Sequence, residues 1–293
     1  MTPRDVVAAL SVAVVWGATF VFIKWGVAES APTAFTGLRF LFAAIPAVFF
    51  LRPPRTRPIL VLAYGLLVGV GHFGLLFYAF SQGMTASLAS VVVQWQAFFT
   101  VVLAWVILGE RPTVLQSIAI GLALLGIASI GSARLEGAGF WPFFLTIAAS
   151  SFWAGGNIVG KIVGPTESFS LVVWSSLIPP LPMFALAMLF DRERSLTAIR
   201  HPSWLLLLCV VVVAYAATLF GFGVWSRLLT RVPAAALAPF MLMAPLVGMT
   251  IGKFALGEAL GGVELLGAGL VLAGLLINVF GERWTARRSA TAG

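Results

Sequence analysis

The sequence predicts an all-α integral membrane protein, with ten transmembrane helices laid out as two inverted five-helix repeats. Three observations predict it. The 293 residues are 60% hydrophobic and only 10% charged, against roughly 25% charged in a soluble domain. Apolar runs of membrane-crossing length follow one another with short breaks between them. The second half of the chain also echoes the first.

Composition narrows the function classes. Mean hydropathy is +1.05, and so few charges cannot cover a water-exposed surface. One crossing takes roughly 20 apolar residues, so ten crossings leave only short loops and two tails. No separate soluble module fits. The net charge of +8 comes from 18 basic residues scattered along the chain, many at helix ends. That pattern fits membrane orientation and excludes a nucleic-acid face. A single cysteine, Cys209, permits neither an intrachain disulfide nor a thiolate metal cluster. No metal or cofactor is expected.

The candidate spans, in order, are 6–25, 35–51, 59–80, 86–108, 113–130, 142–161, 169–190, 203–226, 234–256 and 263–281. The first follows Arg4 and is too long for the apolar core of a signal peptide, so it reads as a retained helix. The second is short and the break between third and fourth is weak, which makes nine spans the main competitor. With a cytoplasmic N-terminus, the inner segments hold Arg4, Arg52, Arg55, Arg57, Arg111, Arg227, Arg231, Arg283, Arg287 and Arg288. The outer segments hold Arg134, Arg192, Arg194 and Arg200. Basic residues favour the cytoplasmic side, so both termini are expected there.

Residues 108–126 read LGERPTVLQSIAIGLALLG, and 256–274 read LGEALGGVELLGAGLVLAG. The offset of 148 matches Leu108-Gly109-Glu110 to Leu256-Gly257-Glu258 and Gly121 to Gly269. An earlier echo pairs Trp16 and Lys24 with Trp153 and Lys161. The repeats are taken as 1–137 and 138–293. Five helices each, an odd number, would invert one repeat against the other. Inverted repeats mark secondary transporters, with the substrate near mid-membrane where the halves meet.

The WGATF stretch at Trp16–Phe20, Arg39-Phe40, the two LGE triplets and the segment from Ala234 to Pro245 carry a resemblance over nearly the whole chain. The sequence resembles the drug/metabolite transporter superfamily, EamA type, and is similar within it to bacterial aromatic amino-acid exporters. The resemblance implies ten helices in the cell inner membrane, cytoplasmic termini, and a central cavity open alternately to each side. Two departures bear on functional symmetry: Ala97 stands where the second half has Pro245, and Ser176 stands opposite Arg39.

All ten acidic residues fall in loops, tails or near helix ends. The first helix offers Trp16, Thr19 and Phe20 where small multidrug exporters of the superfamily use a glutamate. His72, in GVGHFG, is the one intramembrane histidine and the candidate for proton coupling; it reads equally as a neutral residue bonded to a neighbouring helix. Trp16, Phe20 and Lys24 share a helix face, as do Trp153, Asn157 and Lys161. Each lysine is either a substrate-carboxylate site or a side chain reaching to the headgroups. Arg39 reads as an ion pair or an interfacial anchor. Gln94 and Gln96 point to different faces, so at most one faces substrate and the other bonds a neighbouring helix; Phe98 shares the face of Gln94. Tyr78, Met243 and the stripe Tyr215, Thr218, Phe222 and Trp225 complete the candidates, with packing as the stripe's plainer reading. Glu110 and Glu258 read as caps, anchors or gate contacts.

Sparse polar groups among aromatics suit a neutral or zwitterionic solute with an apolar body, so export of amino acids or related metabolites leads. A multidrug carrier, a channel and a lipid scramblase are the alternatives. An intramembrane enzyme is disfavoured, since no HExxH or intramembrane carboxylate pair is present. The expected partners are the substrate and the lipid bilayer, and a monomer suffices.

Overall fold

A computed structural model describes residues 2–134, 139–232, 237, 240, 241 and 243–291. Every regular element among them is helical. Helix α1 (Pro3–Glu29) opens on a capping box: Thr2 Oγ1 accepts from the Asp5 amide and the Asp5 carboxylate accepts from the Thr2 amide. Helix α2 (Pro32–Val48) starts on a proline, which has no amide to leave unpaired in the first turn. Helix α3 (Pro58–Ser81) is wound as a π-helix over Gly65–Gly74. Helix α4 (Ala86–Leu108) is interrupted by a turn at Val93 and Gln94.

Helices α5 (Val114–Arg134) and α6 (Phe140–Val163) follow. Helix α7 (Pro165–Phe190) breaks at 176–179, where Pro179, Pro180 and Pro182 withdraw amide donors. A short charged helix, α8 (Arg192–Arg200), was not foreseen. Helix α9 (Trp204–Leu229) carries a second π segment over Val212–Phe222. Helix α10 (Met243–Leu256) is the end of the expected 234–256 span, whose start lies largely outside the described residues. Helix α11 (Gly262–Thr291) is last.

Among the described residues, seven helices, α1, α3 to α7 and α9, are long and apolar enough to cross a membrane. Helix α2, helix α10 and the stretch Gly262–Ile277 of α11 are shorter apolar helices. Large apolar side chains face outward: Phe50 is 88% exposed, Leu181 82% and Phe254 81%. Such a surface would associate in water, and lipid is the solvent that suits it.

Several interior hydroxyls bond to their own helices. Thr36, Thr146 and Ser176 each donate to the carbonyl four residues back, at 2.8, 2.8 and 2.6 Å. Small residues then let backbones approach. Helix α5 packs along α11, where a methyl group on Gly267 would lie 2.6 Å from the Gly126 carbonyl oxygen. Helix α1 meets α10 in the same way, Gly17 against the Ala244 carbonyl at 2.6 Å. Around His72, Gly69 takes the ring of Pro179 and Gly71 the ring of Phe152.

Gly267→Val should therefore force α5 and α11 apart. Overpacking of this kind costs about 1–3 kcal/mol. Thermal unfolding in detergent should show a lowered midpoint. Gly269→Val, with nothing near its Cβ position, should leave the midpoint nearly unchanged. Equal loss in both variants would refute the close contact.

Candidate functional site

Helices α1, α2, α3, α4, α6 and α9 enclose a narrow central chamber, completed by Met241 and Ala244. The free space is about 70 Å³, room for about five waters. Of the residues the sequence singles out, the chamber gathers Trp16, Thr19, Phe20, His72, Gln94, Trp153 and Phe222. Gln96 joins them, together with Arg39 and Phe73. The two glutamines share one chamber because the turn at Val93 and Gln94 resets the helix face, whereas an unbroken helix would separate them.

Trp16 is held by its indole N–H, which donates to the Ala217 carbonyl at 2.9 Å. Its ring packs on Phe222 and Trp225, with centroids 5.3 and 5.5 Å away. His72 is fully buried; its Nδ1 lies 2.9 Å from the Ala149 carbonyl. A carbonyl can only accept, so Nδ1 carries the proton of this bond. The ring of His72 touches Trp153 and Phe73, each at 4.5 Å between centroids.

Arg39, which the sequence suggests as an ion pair or an interfacial anchor, is buried at the chamber wall. It is 2% exposed. One Nη donates to Thr218 Oγ1 at 3.1 Å, and the guanidinium carbon stands 3.5 Å from the Phe73 ring centroid. Thr218 in turn donates to the Val213 carbonyl five residues back, the spacing of the π segment. The available signal was the position of Arg39 well inside an apolar run.

The other candidates lie outside this chamber. Tyr78 lines a separate open groove with Gly74, Phe152 and Arg194. Phe98 is 1% exposed and packs on Trp95. Asn157 donates to Gln96 Oε1 at 2.5 Å and to Thr100 Oγ1 at 3.0 Å. Tyr215 and Met243 are half-buried and line neither of these two spaces. Lys161 is paired with Glu110.

That pairing has a counterpart. Lys24 lies 3.6 Å from Glu258 and donates to the Met84 carbonyl at 3.0 Å. The glutamate of each LGE triplet thus meets the lysine of the other half's Trp-to-Lys echo. Both triplet glycines take left-handed backbone, φ 73 at Gly109 and φ 66 at Gly257, and end their helices. The Glu110 amide then reaches back to the Ala104 carbonyl and the Glu258 amide to the Gly252 carbonyl, each six residues earlier, so both helix ends close in the same way. The two pairs are not equivalent. Glu258 also accepts from the Ala86 and Ser87 amides at 2.8 Å each, capping α4, and its side chain is 7% exposed. Glu110 and Lys161 are about half exposed.

Glu258→Ala should cost about 1–2 kcal/mol, as for a lost helix cap. Glu110→Ala removes an exposed pair worth about 0–1 kcal/mol. Unfolding in detergent should rank the two in that order, and a reversed rank would contradict the geometry.

Comparison with known proteins agrees with this architecture. The model of the EamA-like transporter family matches residues 4–132 and again 140–280. A protein of Salmonella typhimurium called a probable amino-acid metabolite efflux pump is 41% identical over 99% of both chains. One of Escherichia coli with the same description is 40% identical over 97% of both. The inner membrane transporter YedA of Escherichia coli, itself uncharacterized, is 26% identical over 94% of this chain and 90% of its own. A solved crystal structure superposes with a TM-score of 0.64 at 18% identity, covering 97% of this chain and 99% of that one, a likeness of fold alone. The chain belongs to the EamA-like transporter family and is a membrane transporter, not an enzyme.

Proposed function

We propose that this protein exports amino acids, aromatic and other neutral ones, or closely related metabolites, by alternating access. The observation that carries the reading is the central chamber, where aromatic rings surround a few polar groups. Rings from Trp16, Phe20, Phe73, Trp153 and Phe222 suit an apolar or aromatic body. Arg39, His72 and Gln94 suit a small polar head. The efflux pumps that are 40% and 41% identical support amino-acid metabolites as the cargo class and the outward direction.

Ten spans in two inverted halves are part of this proposal. The family model matches twice, once in each half. The π segments of α3 and α9 begin at Gly65 and Val212, 147 residues apart, close to the offset of 148 between the LGE triplets. In the inverted arrangement the Lys24–Glu258 and Lys161–Glu110 pairs lie at opposite mouths of the chamber. Each joins one half to the other, as latches of a two-gated carrier would. The excess of arginines in the inner segments favours cytoplasmic termini, in the cell inner membrane.

Reconstitution tests the function. Labelled phenylalanine, tryptophan and threonine are offered to proteoliposomes with and without the same amino acid inside. The expected result is saturable uptake, accelerated by preloading. Folded protein that gives no uptake above empty liposomes would remove amino acids as the cargo and favour drugs or lipids.

A further inference from the structure

The chamber has room for about five waters, and a buried polar atom in it is met by protein, by ordered water or by a ligand. Among the described residues, Nε and Nη1 of Arg39 and Nε2 of His72 have no protein partner. The other buried orphans are single hydroxyls, those of Thr33 and Ser195, and neither lines the chamber. Arg39 and His72 are 2% and 0% exposed, and both line the chamber.

The unused atoms differ in kind. Arg39 lies over Phe73, and a guanidinium stacked on a ring keeps its N–H groups free in its own plane. Those are donors on a permanent cation. Among the described residues no carboxylate lines the chamber to balance it, and an uncompensated buried cation is costly. His72 offers the opposite. With Nδ1–H donated to the Ala149 carbonyl, the neutral ring leaves Nε2 as an acceptor. Both groups flank one ring, Phe73, at 3.5 and 4.5 Å from its centroid. A charged donor beside a neutral acceptor complements a carboxylate beside an ammonium.

We propose that Arg39 and His72 together are the receptor for the head group of an α-amino acid: Arg39 donates to the carboxylate and His72 Nε2 accepts from the ammonium. This rests on the amino-acid reading above and sharpens it. The carboxylate supplies the charge that Arg39 lacks, so it is the obligatory half of the substrate. The ammonium meets only a neutral acceptor, so its loss weakens binding less.

Competition against labelled phenylalanine uptake tests the proposal on the unmodified protein. The competitors are 3-phenylpropionate, which lacks the ammonium, and phenylalaninamide and 2-phenylethylamine, which lack the carboxylate. Phenylpropionate should compete within roughly tenfold of phenylalanine, as for one neutral hydrogen bond. The amide and the amine should be weaker by roughly 10- to 100-fold, as for hydrogen bonds to a charged group. Amide or amine competing as well as phenylalanine would overturn it.

Two variants assign the halves. In Arg39→Gln the preference for phenylalanine over its amide should collapse towards one. In His72→Phe the preference for phenylalanine over phenylpropionate should collapse while that over the amide persists. These ratios are internal to each variant, so a general distortion of the chamber would not produce the pattern. Phenylalanine carried with both ratios unchanged overturns the receptor and leaves the amino-acid reading intact. No phenylalanine transport by the unmodified protein overturns both.

Discussion

A helix in lipid has no water to complete its hydrogen bonds, and the interior of this protein is organised around that constraint. Hydroxyls of Thr36, Thr146 and Ser176 turn back on their own helices. The indole of Trp16 finds a carbonyl on α9 and that of Trp174 one at Leu51. Lys24 takes both a carbonyl and a carboxylate. Against this background, the unused nitrogens of Arg39 and His72 stand out among the described residues, and they occur where six helices leave room between them.

The room exists because the helices are close-packed elsewhere. Glycines bring α1 against α10 and α5 against α11 at backbone contact. The helices facing the chamber are less regular. Both α3 and α9 are π-wound where they pass it, and α4 is interrupted beside it. Irregular winding redirects side chains and leaves carbonyls to be met by hydroxyls, as Thr218 meets Val213. Departures from α-helical geometry commonly gather at functional positions.

These departures also decide what the sequence made legible. Hydropathy located the helices, because a long apolar run has few other fates. The LGE triplets were legible as a repeat, since a left-handed backbone asks for glycine at Gly109 and Gly257. Their crosswise partners were not, because Lys24 and Glu258 lie far apart in sequence and a lysine near a helix end is equally well placed to reach lipid headgroups. A span that begins at residue 35 sets Arg39 near a helix end, where an ion pair or an interfacial anchor is the natural reading. The helix begins at Pro32, which sets Arg39 two turns inside. Regular α periodicity puts Tyr215 with Thr218 and Phe222 in one stripe; in the π-wound helix Thr218 holds Arg39 and Phe222 lines the chamber, while Tyr215 does neither. The turn brings Gln94 and Gln96 to one chamber, although Gln96 also bonds the neighbouring α6 through Asn157, as expected for one of the two.

The two lysine–glutamate pairs are matched in chemistry and unmatched in surroundings. One carboxylate is half exposed and holds a single cation. The other is buried, holds a cation and stitches two amides at the start of α4. In the alternating-access reading, breaking the second would take more work than breaking the first, which would load the empty protein like a spring rather than balance it like a seesaw. An imbalance of about 1.4 kcal/mol is enough to set a tenfold preference between the two states. Cargo entering at the weakly held mouth would therefore find the door usually open, while the return stroke would govern the pace of the cycle.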